Sequence, residues 1–527
     1  MKRERRLLYL LAVLKIILPY LIQNPIWEPH RDELLYLAEA RHMAWGYMEA
    51  PPLLSLFAWL TNHLGGSLMV IKLWPSLFGA LTFLLTGRIV LMLGGRWFAL
   101  LLAFLPFVFG AYLRMEFLFQ PNFLDIFFWT AMAYGLIRFK LTGKTINLYL
   151  AGVSLGLGML SKYTMAFYAT GLLGGLLLTW DKSILRNRHF YYGLGLGLII
   201  WLPNLIWEFS HGLPIVYHMR TLENYQLKNI NRVDFLKSQI LLQLPTLYLW
   251  ITGLCWAAFS KKGKPFRFIA WAYLITIALL DLGHAKDYYS QGAYPVLFAF
   301  GAAAIEAWTT KIKAPGLIVR CCMLAFTLFI GYFAVTLSLP FLAPTDLAAY
   351  YAKSDLARKM GTLRWEDQED HPLPQDFADM LSWQEMTMKV ANVYNHLDSA
   401  EKRRILLFCD NYGEAGAVNY YGTQYQLPTC YSDNASFLYW MPDSFDGFED
   451  LLLVTDDQEE MQHPFVKEFQ SVVVCDSVTN PLAREYGTLI ILFKNPNQQF
   501  REQFQQKIEA DKNKTDIRRR GPHKGPI

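Results

Sequence analysis

The sequence predicts a polytopic α-helical membrane protein with about 11 transmembrane helices and a small C-terminal α/β domain outside the membrane. Three observations predict it. Of 527 residues, 53% are hydrophobic and 18% charged, with a mean hydropathy of +0.19. An ordinary soluble domain carries about 25% charged residues. Apolar runs of membrane-crossing length recur from Leu7 to about residue 340, and such runs read as spans. Beyond Pro340 charge rises and short β-rich runs take over. The net charge of +5 is scattered in small clusters between apolar runs. That pattern lacks the single basic, aromatic-interleaved face of a nucleic-acid binder.

The chain opens on Lys2-Arg3-Glu4-Arg5-Arg6, followed by an apolar run from Leu7 to Ile22. The run is long for a signal h-region, and Pro25, Trp27 and Pro29 follow in place of a small-residue cleavage site. It reads as an uncleaved first span with its basic end in the cytoplasm. Spans are expected at 7–22, 68–92, 97–113, 119–137, 146–160, 164–180, 191–207, 238–259, 267–283, 292–309 and 316–339. Alternate connections then carry the basic residues: Arg88 and Arg96; Arg138, Lys140 and Lys144; Lys182, Arg186 and Arg188; Lys261, Lys262, Lys264 and Arg267; Lys311 and Lys313. The positive-inside rule puts them with the N-terminal cluster in the cytoplasm, and an odd number of spans leaves everything after about residue 340 outside. That placement turns on 146–180. One helix there would be about 52 Å long against a hydrocarbon core of about 30 Å. A hairpin is expected instead, with Ser161-Lys162-Tyr163 at its outer turn.

The first outside connection, 23–67, is long, aromatic and Pro-punctuated, and Leu53 to Leu64 reads as a helix lying along the interface. Others are Arg114 to Pro121, residues 208–237, and a stretch holding His284-Ala285-Lys286-Asp287-Tyr288-Tyr289. In the domain expected over 341–495, strands are read at Arg404–Asp410, Asp450–Thr455, Ser471–Asp476 and Gly487–Lys494, with a helix from Glu414 to Tyr421 stopped by Gly422. Strand-helix-strand order implies a small α/β unit. The charged segment 496–527 has no evident apolar period and is expected as a frayed helix and disordered tail. Six scattered cysteines without CxxC spacing indicate neither a zinc site nor a disulfide framework.

The chemistry is expected at the outer membrane face. Asp32 and Glu33 follow the first span, and ionised groups beside an apolar segment want water or a partner. Neighbours on a helix point about 100° apart, so one of these acids can act as a base while the other positions or pairs. Acids at a helix start also suit the helix dipole, a bland alternative that Pro29 favours. Asp125 lies in a span, where ionisable residues default to function, or near enough its outer end to cap or pair. Glu116 is a weaker candidate, since Arg114 stands two residues away. Lys162 and Lys286 fall outside, against the charge trend, and would suit a phosphate at the membrane surface. Tyr288 and Tyr289 could donate hydroxyls to the same group or be ordinary interfacial aromatics. His42 and His63 show no metal-ligand spacing.

Several segments, in this order, resemble a known family. RDELLYLAEARHMAWGYMEAPPLLSL from Arg31, the Lys-Tyr-Thr turn after Gly-Leu-Gly-Met-Leu-Ser, HAKDYYSQGAYPVLFAFGAAAIE from His284 and DNYGEAGAVNYYG from Asp410 resemble the bacterial branch of glycosyltransferase family 39. That family holds protein O-mannosyltransferases and an aminoarabinose transferase of lipid A. The resemblance covers most of 1–340 and, more weakly, the C-terminal domain. It implies a GT-C fold, with residues 1–340 as the catalytic domain, and an undecaprenyl-phosphate or other polyprenyl-phosphate sugar donor. It further implies inversion at the anomeric carbon with Asp32 as general base and Glu33 beside it, Asp125 as the match to the family's aspartate near the start of the fourth span, and Lys162 and Lys286 on the donor phosphate. By position alone, Glu116 joins Asp125 as a supporting acid, and Tyr288 and Tyr289 join the lysines. The acceptor would be a hydroxyl of a lipid, glycan or protein. Metal dependence varies in such enzymes, and no ligand cluster is visible in the sequence, so no metal or other cofactor is expected to be required. The implied location is a bacterial inner membrane, with the N-terminus cytoplasmic and the C-terminal domain periplasmic. The rival readings are a transporter or flippase of a lipid-linked sugar and a polytopic scaffold. Transporters place charges at mid-membrane and show repeated halves, whereas no internal repeat is visible here and the candidate charges gather at one face. Neither the sugar nor the acceptor is legible.

Overall fold

A computed structural model describes residues 2–225, 231–353 and 355–519. Helices lie on each of the expected apolar runs, and two of the runs break at a proline. The run at 97–113 is divided into Trp97–Phe104, Pro106–Phe109 and Tyr112–Met115, because Pro106 has no N–H to continue the ladder. The run at 238–259 becomes Arg232–Leu241 and Leu244–Phe259, bent by 55°, with Pro245 at the break. Among the described residues, four helices are long and apolar enough to cross a membrane, or up to five if the bent pair is one span. These four are Leu68–Met92, Arg188–Ser210, Lys264–Leu282 and Ala314–Ser338. The shorter apolar helices include Ile146–Met159 and Met165–Leu178, so the run at 146–180 is broken at Lys162 rather than continuous. Helix Ile146–Met159 meets Arg188–Ser210 backbone to backbone. A Cβ on Gly152 would stand 1.9 Å from the Gly193 carbonyl oxygen, the close approach small residues permit between membrane helices.

The first outside connection carries helices Arg31–Glu39 and Leu53–His63. It is joined to the segment after residue 340: the Trp27 indole donates to the Leu342 carbonyl (2.8 Å), and the Asn24 N–H to that of Pro340 (3.1 Å). The C-terminal domain is a five-stranded sheet of order β2-β1-β3-β5-β4. Its strands are β1 (Ile405–Cys409), β2 (Cys430–Tyr431), β3 (Asp450–Thr455), β4 (Phe469–Ser477) and β5 (Leu489–Pro496). β1 pairs parallel to β2 and β3, while β5 runs antiparallel to β3 and β4. The two-residue β2 is too short to leave a sequence signal.

Side-chain alternation gives the sheet two apolar faces. Leu407, Cys409, Leu452, Val454, Ile490 and Leu492 share one core with helix Trp383–His396 and helix Tyr412–Tyr421. Leu34, Leu35 and Ala38 of helix Arg31–Glu39 belong to that same core, so the first outside connection docks onto the C-terminal domain. Leu406, Phe408, Leu451, Leu453, Ile491 and Phe493 form the other face, covered by Phe500, Phe504 and Ile508.

Those last residues belong to the helix expected at the start of the charged segment. Gln498–Thr515 is a helix, and Phe500, Phe504 and Ile508 repeat every fourth residue, an apolar stripe too narrow to stand out among glutamines and lysines. Residues 520–527 of the expected tail lie outside the described residues.

Candidate active site

A cavity of about 1390 Å³ opens between the ends of the apolar helices and the C-terminal domain. Asp32 lines it, from the first turn of helix Arg31–Glu39. His30 is the N-cap: its Nδ1 accepts from the Asp32 N–H (3.1 Å), and its own N–H donates to Glu33 Oε2 (2.8 Å). This capping box fixes the helix start and so the direction of the Asp32 side chain. Gln120 Nε2 donates to Asp32 Oδ2 (3.0 Å) and the Tyr412 hydroxyl to Oδ1 (2.8 Å). Two neutral donors hold the carboxylate and leave each oxygen a further lone pair.

A polar relay runs from Asp32 to the cationic wall. Gln120 Oε1 accepts from Asn122 Nδ2 (3.1 Å), and Asn122 Oδ1 accepts from Lys162 Nζ (2.7 Å). The amide dipoles all point the same way, ammonium end to carboxylate end. Lys162 Nζ also sits over the rings of Tyr289 (4.0 Å) and Tyr288 (5.2 Å). Burial pulls its pKa below the ordinary lysine value and the Lys286 charge adds to the fall, while Asp125 opposes it. The same burial and the same Lys286 charge bring His218, also on the wall, down to about 4. Lys162 and Lys286 make this wall cationic, with Asp125 behind it and Asp287 beside it, and the pair of ammonium groups favours an anionic ligand.

The C-terminal domain closes the opposite side. Tyr412 is the first residue of its helix, capped by Asn411. Two glycines let that helix settle on helix Arg31–Glu39: a Cβ on Gly416 would lie 2.9 Å from Leu34, and one on Gly413 2.5 Å from Arg31. Burial, then the Asp32 charge, holds the Tyr412 phenol well above its ordinary value, so it stays a donor. The Arg31 guanidinium lies 4.8 Å over its ring. Farther along, Arg114 pairs with Asp376, and Arg484 with Asp379 at 3.4 Å.

His30, Asp376 and Asp379 bring three ligand-type atoms within 4.8 Å of one another, so a metal has to be considered. The imidazole argues against one. Its Nδ1 lone pair is committed to the Asp32 N–H, which puts the neutral ring's proton on Nε2, the atom facing the carboxylates at 3.5 and 3.6 Å. A metal-bound histidine keeps its proton on the other nitrogen and donates it. The two arginines already balance both carboxylates, so these residues do not fit a metal.

Of the residues expected from the sequence, Asp32, Lys162, Lys286, Tyr288 and Tyr289 all line the cavity. Three do not. Glu33 is 0% exposed, and its carboxylate accepts from Lys72 Nζ (2.6 and 2.7 Å), the Phe119 N–H (2.5 Å) and the His30 N–H. It ties the first outside connection to two other segments and faces away from the cavity. Glu116 pairs with buried Lys15 at 2.8 Å rather than with Arg114. Asp125 is buried behind the wall and accepts from the Thr164 hydroxyl at 2.7 Å, within electrostatic reach of Lys162. Tyr412, Gln120, Asn122 and His30 were missed, because neutral hydrogen-bonding residues carry no charge signal. DNYGEAGAVNYYG was singled out without a reason to pick its tyrosine.

Comparison with known proteins agrees with this architecture. The family model of dolichyl-phosphate-mannose-protein mannosyltransferases matches residues 49–207, a stretch that includes Asp125 and Lys162 and begins after Asp32. The lipid A galacturonosyltransferase RgtD of Rhizobium johnstonii is 21% identical over 303 residues, 54% of this chain. The match spans 61% of that relative's length. Among solved structures, ArnT from Cupriavidus metallidurans bound to undecaprenyl phosphate superposes with a TM-score of 0.59 at 13% identity, covering 92% of this chain and 97% of ArnT. The apo form of ArnT gives a TM-score of 0.56 with the same coverage. The family-39 resemblance read from the sequence and the observed architecture agree: the chain has the GT-C fold of membrane glycosyltransferases.

Proposed function

We propose that the chain is an inverting glycosyltransferase that moves a sugar from undecaprenyl phosphate, or a similar polyprenyl phosphate, to an acceptor hydroxyl at the outer face of a bacterial inner membrane. One observation carries the reading: a single cavity joins a carboxylate held by neutral donors to a lysine wall, through the side-chain relay Asp32–Gln120–Asn122–Lys162. The acceptor O–H gives its proton to Asp32, and the oxygen attacks the anomeric carbon from the face opposite the phosphate. The C–O bond to the phosphate breaks, and undecaprenyl phosphate departs with the electron pair. Lys162 and Lys286 face that developing charge, where fixed cations in a shielded site stabilise the transition state most. In this reading they fill the role a metal ion plays elsewhere. Tyr288 and Tyr289 hold Lys162 in place and border the same pocket.

A relative named for lipid A modification and a structure holding undecaprenyl phosphate favour a lipid-linked donor and a lipid acceptor. The test is transfer from a radiolabelled panel of undecaprenyl-phosphate-linked sugars, with protein purified in detergent and envelope lipid, glycan and protein fractions offered as acceptors. We expect one donor to be consumed, with label appearing in the lipid fraction and undecaprenyl phosphate released. Movement of an intact lipid-linked sugar across vesicles, with no donor consumed, would instead establish the transporter reading.

A further inference from the structure

We propose that Cys409 and Cys430 form a buried disulfide that staples the C-terminal sheet at the turn delivering Tyr412. The proposal rests on the outward placement of this domain in the function proposed above. It was not legible in the sequence, where the two cysteines stand 21 positions apart without a motif.

β2 is short, and its register fixes the meeting: Cys430 stands opposite Leu407 on β1, with Cys409 two residues further on the same face. The two Sγ atoms are 3.2 Å apart, and the residues are 0% and 1% exposed. Cys430 is held in position from both sides by one amide: Asn419 Nδ2 donates to its carbonyl (2.8 Å), and its N–H donates to Asn419 Oδ1 (3.0 Å). Diagonal neighbours of this kind stand about 7–8 Å apart on an ideal ladder, at the wide limit for a disulfide, so the bond draws β2 toward β1 from the 3.2 Å contact the two Sγ atoms already make. Outside the cytoplasm, thiols so placed meet an oxidising compartment.

The oxidation balances by thiol–disulfide exchange. A disulfide-bearing oxidant accepts attack from one cysteine thiolate, and the second thiolate displaces it from the mixed disulfide. One S–S bond forms here, one breaks in the oxidant, and the oxidant leaves as two thiols carrying the two electrons and two protons. Burial raises the Cys409 thiol well above its ordinary pKa, which disfavours reaction in the finished fold. The bond therefore forms while β2 is still settling. Once made, it closes a loop holding Asp410, Asn411 and the helix Tyr412–Tyr421. Cross-linking a loop of this size costs the unfolded chain conformational freedom.

Cys475, exposed on β4, serves as the internal control. Intact cells expressing the full chain are treated with a membrane-impermeant maleimide. The protein is then denatured in an alkylating agent without reductant, digested and analysed by mass spectrometry. The proposal expects Cys475 labelled from outside, and the Cys409 and Cys430 peptides linked and two hydrogens lighter than their sum. Adding dithiothreitol should lower the Tm of the domain's transition by about 10 °C. Labelled Cys475 with Cys409 and Cys430 as two alkylated thiols overturns the disulfide and leaves the outward placement standing. Cys475 reached only after permeabilisation, with both thiols free, overturns the outward placement and the disulfide with it.

Discussion

Glu33 stands next to the proposed base, yet the structure gives it a structural task that can be measured without any substrate. Its carboxylate and the Lys72 ammonium are 0% and 1% exposed and meet at 2.6 Å. Lys72→Met removes the cation and two of the four hydrogen bonds on Glu33, leaving the Phe119 and His30 N–H groups. Breaking a buried pair from one side costs about 3–5 kcal/mol. The two remaining N–H bonds put the expected loss at the lower end, about 3 kcal/mol. Glu33→Gln leaves the buried ammonium facing a neutral amide and the Phe117 ring at 4.2 Å, and should cost a similar amount. The double variant leaves no buried charge, so its loss should fall about 2 kcal/mol or more short of the sum. Thermal unfolding in detergent, followed by tryptophan fluorescence, reads all four proteins. Wild-type stability in Lys72→Met would refute the reasoning. Wild-type stability in Glu33→Gln together with lost transfer would assign Glu33 a direct part in the chemistry beside Asp32.

Lys162→Met should weaken undecaprenyl phosphate binding by about 10- to 100-fold, the value of a hydrogen bond to a charged group, as read by isothermal titration calorimetry. Unchanged affinity would remove Lys162 from the donor site. Tyr412→Phe removes one donor from Asp32 and should lower kcat by about 10-fold or more while undecaprenyl phosphate affinity holds; a change in affinity alone would contradict the placement. Glu49 also borders the cavity, and burial raises it from about 4.5 to about 7. The folded chain therefore holds this proton more tightly than the unfolded one, and stability falls as pH rises between those values. Glu49→Gln, which removes the charge, should gain about 1–2 kcal/mol at pH 8, discounted for partial exposure, and nothing at pH 4. A Tm difference independent of pH would show that Glu49 is not protonated by burial.

The sequence was most readable where a charge sat against the grain of its surroundings. Lys162 and Lys286, which the hydropathy map places outside against the positive-inside trend, and Asp32 after an apolar run could each be singled out because burying or misplacing a charge is costly. The same reasoning could not sort Glu33 and Glu116 from Asp32, since a buried carboxylate reads alike whether it meets substrate or a lysine 39 or 101 residues away. The hairpin at 146–180 followed from helix length against bilayer thickness. Strand β3 was readable to the residue because its apolar run is short, fully buried and flanked by charge. Helix Gln498–Thr515 was readable only as a frayed helix, since Phe500, Phe504 and Ile508 are enough to dock it yet too few to look periodic. The placement of the C-terminal domain on the first outside connection was equally hidden. It depends on Gly416 meeting the Leu34 backbone and Gly413 making room for the Arg31 side chain, almost 400 positions earlier, and no local pattern reports that.

The most direct test of the account measures binding and chemistry on one protein, Asp32→Asn. The amide keeps the shape of the side chain and cannot take the acceptor's proton. Undecaprenyl phosphate affinity should stay within about twofold of wild type, while transfer from the consumed donor falls by at least the hundredfold that general-base catalysis supplies. Transfer at the wild-type rate would mean that Asp32 merely starts a helix, and that the base of this reaction lies elsewhere.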